Sequence, residues 1–490
     1  MKRFFVRLAG RSDGVSRRSI VGAVPLLLGA LTAAHGQLIT PKTVPIHQDE
    51  QFAIFPTTRS GMAGVSIALD DTLADPFNNP AKAANVRSGR MFTAPFAHGI
   101  TSGHGGGNTL PVGGVASTGA WAGAAVFALQ KLNHGPTSGF GEAAAANQYG
   151  SVAVARRLPG GIAVGGSAYL ASLNSIDGVD LLYSGSDRLV ESGSLSDLRL
   201  GAMKEWTGGR RFEALVLTNR TNMTHDVHFT TPAWASSTGQ ATTRSEHNVD
   251  ETRIWGAHTQ YVQPVGDDGW RIGMLATANR LSHPKIPNYV IQNIPRDPGS
   301  TNAFDFGLGL ARTFGTTSFG MDFIEEPMSS NTWGTADSDT VIVGGGTLHA
   351  GDKTVQNHFT FANQKIRIGV SHEFLMRPDT SNAFGFQLGM AVTSFNYRLH
   401  QVNNIQRSVR DQDEGWNEWT PTLGLHWRSR NFVVQYLYRR TCGPSTCIDF
   451  AMGDKVNVTG PTVIAAAAAP LSVNGGTSHV HQLMLEIPIH

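Results

Sequence analysis

The chain beyond residue 60 is organised by a period of two. In Phe304, Phe306, Leu308 and Leu310 the even positions are large and apolar, while Asp305, Gly307, Gly309 and Ala311 between them are small or charged. That is a strand with two opposed faces and not a helical pattern. The chain turns through 312–317 and returns with Phe319, Met321 and Phe323 alternating against Ser318, Gly320 and Asp322, which predicts a hairpin. Phe384 to Val392, Leu423 to Trp427, Phe432 to Tyr438, Ile366 to Val370 and Leu483 to Ile489 repeat the rhythm.

Turns divide these runs unevenly. Leu158-Pro159-Gly160-Gly161, Thr207-Gly208-Gly209-Arg210 and Gly266-Asp267-Asp268-Gly269 predict tight hairpins. Between the hairpins lie polar stretches, 172–195, 220–250, 280–301, 325–356 and 399–416, read as long loops. Short turns at one rim and long loops at the other predict an all-β, antiparallel transmembrane barrel of about 14 strands, because closure alone leaves no unpaired edge in lipid. A soluble sandwich shares the alternation. The second face here is Gly, Ala, Ser, Thr, Asp or Gln in strand after strand, which suits a lumen better than a charged outer surface. Aromatics near strand ends, Trp206, Trp270, Phe374, Trp419, Trp427 and Tyr438, fit interfacial girdles.

Composition adds exclusions. Glycine is in excess, 56 of 490 residues, without a three-residue period and with only 23 prolines, so collagen is excluded. The first 36 residues carry six of the 39 basic side chains and one of the 37 acidic ones, ahead of the apolar run 20–34. They read as a signal peptide, with Arg17-Arg18 leaving general and twin-arginine export both open. Without them the balance is 33 basic to 36 acidic, a net −3, so no basic face for nucleic acid is expected. Two cysteines cannot form a four-thiolate metal site; in an oxidising compartment Cys442 and Cys447 would close a small disulfide loop.

Catalytic and metal chemistry find little support. His372 and Ser394 supply ingredients of a hydrolase without its nucleophile-elbow motif, so no enzyme is expected. His98 with His104, and His479 with His481, lack nearby carboxylates or thiols and read as rim residues, so neither metal nor cofactor is expected.

Residues 37–120 depart from the strand pattern. Gly61, Gly64 and Ala68 belong to a small-residue segment, Asp71 follows in an acidic stretch, and Asn79-Pro80-Ala81 makes a turn. On these positions the chain resembles the FadL/TodX-type outer-membrane transporters for long-chain fatty acids and aromatic hydrocarbons. The resemblance implies a 14-stranded barrel with an N-terminal hatch in the lumen, which takes hydrophobic solutes from outside and releases them laterally or inward.

The expected organisation is therefore a signal peptide over 1–36, a plug or hatch with the first strand elements over 37–118, and the barrel over 119–490. Phe77, Met91, Phe92, Phe96 and Trp121 are the ligand-lining candidates, though packing of plug against wall accounts for them equally well. Glycines between Gly99 and Gly114 read as tight turns. Expected partners are a hydrophobic small molecule and outer-membrane lipid, for a monomer in the bacterial outer membrane. The alternative is a structural or surface-binding barrel acting through its long loops.

Overall fold

The computed structural model describes residues 37–42, 49–100, 105–133, 144–177, 186–231, 240–282, 299–336, 338–376, 382–443 and 477–489. The expected signal peptide and Cys447 lie outside these residues. The wall is a single antiparallel sheet. Its strands are β1 Gly89–Thr93, β2 Phe96–Ile100, β3 Gly106–Thr118, β4 Trp121–Asn133, β5 Ala144–Leu158, β6 Ile162–Leu173, β7 Arg188–Glu205, β8 Arg211–Thr231 and β9 Thr242–Val265. They continue as β10 Trp270–Ser282, β11 Gly299–Phe314, β12 Thr317–Thr335, β15 Lys353–Leu375, β16 Ala383–Asn403, β17 Ser408–Arg428, β18 Val433–Cys442 and β19 Thr477–Ile489. A separate two-stranded hairpin, β13 Thr340–Val341 with β14 Thr347–Leu348, lies in the connection between β12 and β15.

From β3 to β19 each wall strand pairs with the next, β12 with β15, and β1 and β2 close the ring by each pairing with both β19 and β3. The register runs without a shift from Gly89↔Ile489 to Ser478↔Ile100, so β1 and β2 are one stave interrupted at Ala94 and Pro95. The barrel therefore has sixteen staves, not fourteen. The difference arises near the start of the wall. The sequence pattern groups 89–118 with the hatch and first strand elements and predicts turns at the glycines between Gly99 and Gly114, yet Gly106–Thr118 is a full strand. Gly113 sits in it because a Cβ there would meet the Phe92 ring at 2.7 Å.

The expected loops also shrink. The strands β8 and β9 reach Thr231 and start at Thr242, so most of 220–250 is wall, and β16 to β17 needs only residues 404–407. Twenty-four residues of β9 extend about 80 Å at roughly 3.3 Å per residue, whereas about 9–11 residues cross a bilayer. Much of the wall stands beyond the membrane on the loop side.

The two parts of the wall use alternation with opposite polarity. Near the short turns the outward positions are apolar: Leu200 is 67% exposed and Leu308 58%, with Gly201 and Gly309 facing inward. Such exposure is costly in water and expected in lipid. Farther toward the loops the same parity turns polar outside, as Asn396, Arg398 and His400, while Phe395, Tyr397 and Leu399 are buried inside. Cations lie against the aromatic girdle at the short-turn rim: Arg156 over Trp121 at 5.2 Å, Lys204 over Trp206 at 5.8 Å and Arg312 over Trp270 at 5.2 Å.

Candidate functional site

Residues 49–86 run as short helical turns, Asp49–Phe52, Ser60–Met62, Asp75–Asn78 and Pro80–Asn85, packed on inward-facing wall positions. Strand glycines make this approach possible. A Cβ on Gly273 would lie 2.6 Å from the Ile67 carbonyl oxygen, and one on Gly165 2.6 Å from the Pro80 carbonyl carbon. Side chains of the wall complete the backbone hydrogen bonding of this strand-less segment. Asp322 accepts from the N–H groups of Ser66 (2.8 Å) and Ile67 (3.3 Å), Gln387 from Gly61 (3.0 Å), and Thr422 from Ala63 (3.1 Å) while donating to the Gly61 carbonyl (2.8 Å).

The motif residues of the resemblance occupy this layer. Gly64 has φ +74°, a backbone that side-chain-bearing residues rarely adopt. Asp71 accepts from the N–H groups of Leu73 and Ala74 at 3.0 and 3.2 Å and from the Thr57 hydroxyl. The Asn79 side chain caps the turn that starts at Pro80 by accepting from Ala81 N–H (3.1 Å).

A charged network joins the segment to β8 and β10. Lys82 contacts Asp75 (2.9 Å) and Glu213 (3.4 Å), Arg211 contacts Asp70 and Glu213, and Arg271 reaches Asp70 at 2.8 Å. Burial opposes the charge of Lys82, but Asp75 and Glu213 outweigh it and hold its pKa above the usual value. Burial acts against the Asp70 charge as well, and Arg211 outweighs it, leaving this carboxyl well below its usual range. For Asp75 burial wins over Lys82 and raises the pKa to about 6. The folded protein then binds this proton more tightly than the unfolded chain does. The stability that proton supplies is complete below about pH 4 and is lost as pH rises through 6. An Asp75→Asn variant is expected to remove this slope, on the order of 1–3 kcal/mol, measured by denaturant midpoints at pH 4 and pH 7; an unchanged slope refutes the assignment.

Between the charged network and the loop ends lies one buried apolar cluster with two aromatic sides. Phe77 packs on Phe55 at 4.7 Å, Phe55 on Tyr169 at 5.9 Å and Phe52 on Tyr149 at 6.2 Å, against β5 and β6. Facing them from β15 to β17, Phe361 lies 5.6 Å and Phe359 5.8 Å from Tyr397, and Phe395 lies 5.0 Å from Trp416. Above β5 and β6 most polar atoms pair with one another: Gln130 donates to the Gln51 carbonyl (2.7 Å), Tyr149 to Gln130 (2.7 Å), and Asp177 meets His98 Nε2 at 3.0 Å, while His98 Nδ1 is buried without a partner among the described residues.

The five expected ligand-lining residues do not come together. Phe77 and Phe92 belong to the apolar cluster. Met91 is 54% and Trp121 50% exposed on the outer face, Trp121 in the short-turn girdle, so neither lines the lumen. Strand parity separates Met91 from its neighbour Phe92. Phe96 borders an outer groove of about 660 Å³ with Pro95, Lys131, Tyr436, His481 and Leu483. Spacing missed Phe359, Phe361, Tyr397 and Trp416. Their signal was aromatics recurring at steps of two on the parity that carries small residues farther down the strands. His479 and His481 face outward against Tyr438 (3.1 Å) and Tyr436 (2.9 Å). Buried Cys442, at the end of β18, is disulfide-bonded.

No protein-family model and no curated protein matches the sequence. Among solved structures the chain is similar to a Pseudomonas aeruginosa FadL homologue, 13% identical over 89% of this chain and 99% of that one, TM-score 0.42. It is likewise similar to the Pseudomonas putida toluene transporter TodX, 11% identical over 87% and 96%, TM-score 0.39. CdiB from Acinetobacter baumannii is 11% identical over 82% of this chain, TM-score 0.38; the match takes in 60% of that protein.

Proposed function

We propose that the protein is a channel of the bacterial outer membrane that admits small hydrophobic solutes, with residues 49–86 as a hatch across its lumen. The observation that carries this reading is the apolar, aromatic interior on the loop side of the barrel, set above a layer of hydrogen-bonded backbone and ion pairs. A water-filled pore has no use for Phe359, Phe361 and Tyr397 turned inward, because each forgoes solvent for contacts an oily ligand can share. The solute enters from the loop end, rests between the two aromatic sides, and leaves where the first stave of the wall is interrupted. That place is bordered on its outer face by the groove at Pro95 and Phe96.

The test is binding of the fluorescent hydrophobe N-phenylnaphthylamine to the purified full chain in detergent. Phe361→Ala and Tyr397→Ala are each expected to weaken binding about tenfold or more, from the loss of roughly 1.5–3 kcal/mol of apolar contact per ring. Folding of each variant is followed by heat-modifiable gel migration. Folded variants that bind the probe as tightly as the parent refute the aromatic chamber as the binding site.

A further inference from the structure

We propose that the outer wall on β8, β9 and β10, at the loop-side edge of the apolar band, binds a lipid bearing a phosphomonoester headgroup, held by Arg220, Arg253 and Arg280. This rests on the wall facing lipid, and not on what the lumen carries.

On these three strands the outward series changes at one level. Thr218 is followed two residues on by Arg220, Trp255 is preceded by Arg253, and Ala278 is followed by Arg280. Arg220 stands directly opposite Arg253, and Arg280 directly opposite Trp255, which places Arg280 diagonal to Arg253. Like charges facing each other across a ladder destabilise a sheet. One acid compensates: Glu251 accepts from Arg220 at 2.9 Å and from Arg253 at 2.6 Å. Arg280 has no partner among the described residues, and the patch keeps two uncompensated positive charges.

The rest of that level is mostly neutral. Where the outward series of the other strands turns polar the residues include Ser172, Ser196, Asn302, Gln364, Ser394 and Asn417, with Glu325 on β12 and single cations at Lys131 on β4 and Arg440 on β18, so β8 to β10 are where arginines stand on three adjacent staves. Trp255, 67% exposed, lies just below it, at the depth where an indole settles among headgroups. The Arg220 and Arg253 side chains are 49% and 54% exposed, within reach of a headgroup. Guanidinium forks suit phosphate oxygens, and a dianionic phosphomonoester matches two spare charges better than a monoanionic phosphodiester. The leaflet on the loop side would supply it as a phosphorylated saccharolipid.

The experiment is native mass spectrometry of the full chain in detergent with bisphosphorylated lipid A, its dephosphorylated counterpart, or phosphatidylglycerol. The parent is expected to retain the bisphosphorylated lipid about a hundredfold better than the dephosphorylated one, from three arginines near the headgroup. Arg220→Gln, Arg253→Gln and Arg280→Gln combined reduce retention to the dephosphorylated level. Glu251→Gln raises it, and together with Arg280→Gln alone decides the matter if the triple variant fails to fold. Equal retention by parent and folded triple variant, equal retention of phosphatidylglycerol, or displacement by millimolar inorganic phosphate overturns the proposal. Phenylnaphthylamine binding in the same preparation stays unchanged, which separates this outcome from that of the lumen.

Discussion

Valine at both Gly369 and Gly389 is expected to push residues 61–64 off the wall and turn a closed barrel into an ion-conducting one. At Gly369 a Cβ would lie 2.6 Å from Met62 Cβ and 2.7 Å from its Cα; at Gly389 it would lie 2.5 Å from the Ala63 nitrogen. These are backbone or backbone-proximal atoms, so no rotamer change relieves the overlap. Overpacking costs about 1–3 kcal/mol per site. The three hydrogen bonds that Gly61 and Ala63 make to Gln387 and Thr422 would be lost with it, about 1 kcal/mol each. Roughly 5 kcal/mol or more then acts on a segment held by side chains alone, while the wall keeps its continuous ladders. The readouts are conductance in planar bilayers and trypsin cleavage after Arg59. A variant that becomes trypsin-sensitive at Arg59 yet stays electrically silent would falsify the role of this layer as the hatch.

The barrel was legible because lipid imposes a rule on every outward position: Phe304 to Leu310 and Phe384 to Val392 must be apolar wherever they cross the bilayer. Beyond the bilayer the rule lapses. Outward Arg398 and His400 face solvent and pair with Asp413 and Asp411, so the alternation that remains is polar outside and apolar inside. A reading tuned to outward apolar residues ends its strands at the membrane edge. That is why 220–231 and 399–403 looked like loop and prove to be wall.

The first staves were hidden for another reason. Gly107 and Gly113 lie in a strand whose neighbours press close, Phe92 against the second of them, and local sequence does not distinguish a glycine that makes room from one that makes a turn. The interior was legible only in part. The motif around Asn79 and Pro80 located the segment that meets the wall. The aromatic pair Phe361 and Tyr397, separated by 36 positions in the chain, meets only through the β15–β16 register, which pairs them directly.

Replacing Pro95 and Pro111 together by alanine is expected to slow release of a bound solute about thirtyfold without weakening its capture. Pro95 accepts from Leu483 N–H at 3.0 Å, and Pro111 accepts from Ala94 N–H at 3.1 Å. In an antiparallel pair of this kind each residue both gives and receives, but proline has no N–H to give. The carbonyls of Leu483 and Ala94 therefore lack the return bond, on adjacent ladders and at the level where the first stave is interrupted and the outer groove reaches Phe96. Alanine supplies both donors. Two ladder bonds at about 1 kcal/mol each hold the seam shut by about 2 kcal/mol, a factor of about thirty in the population of the open wall. Neither proline is among the aromatic residues of β5, β6 and β15 to β17 between which the solute rests, so equilibrium binding of phenylnaphthylamine stays near the parental value. Its dissociation rate, measured by stopped-flow dilution, is what changes. A double variant with parental binding and parental dissociation shows that the solute does not leave through this seam, and directs attention to the hatch as the exit.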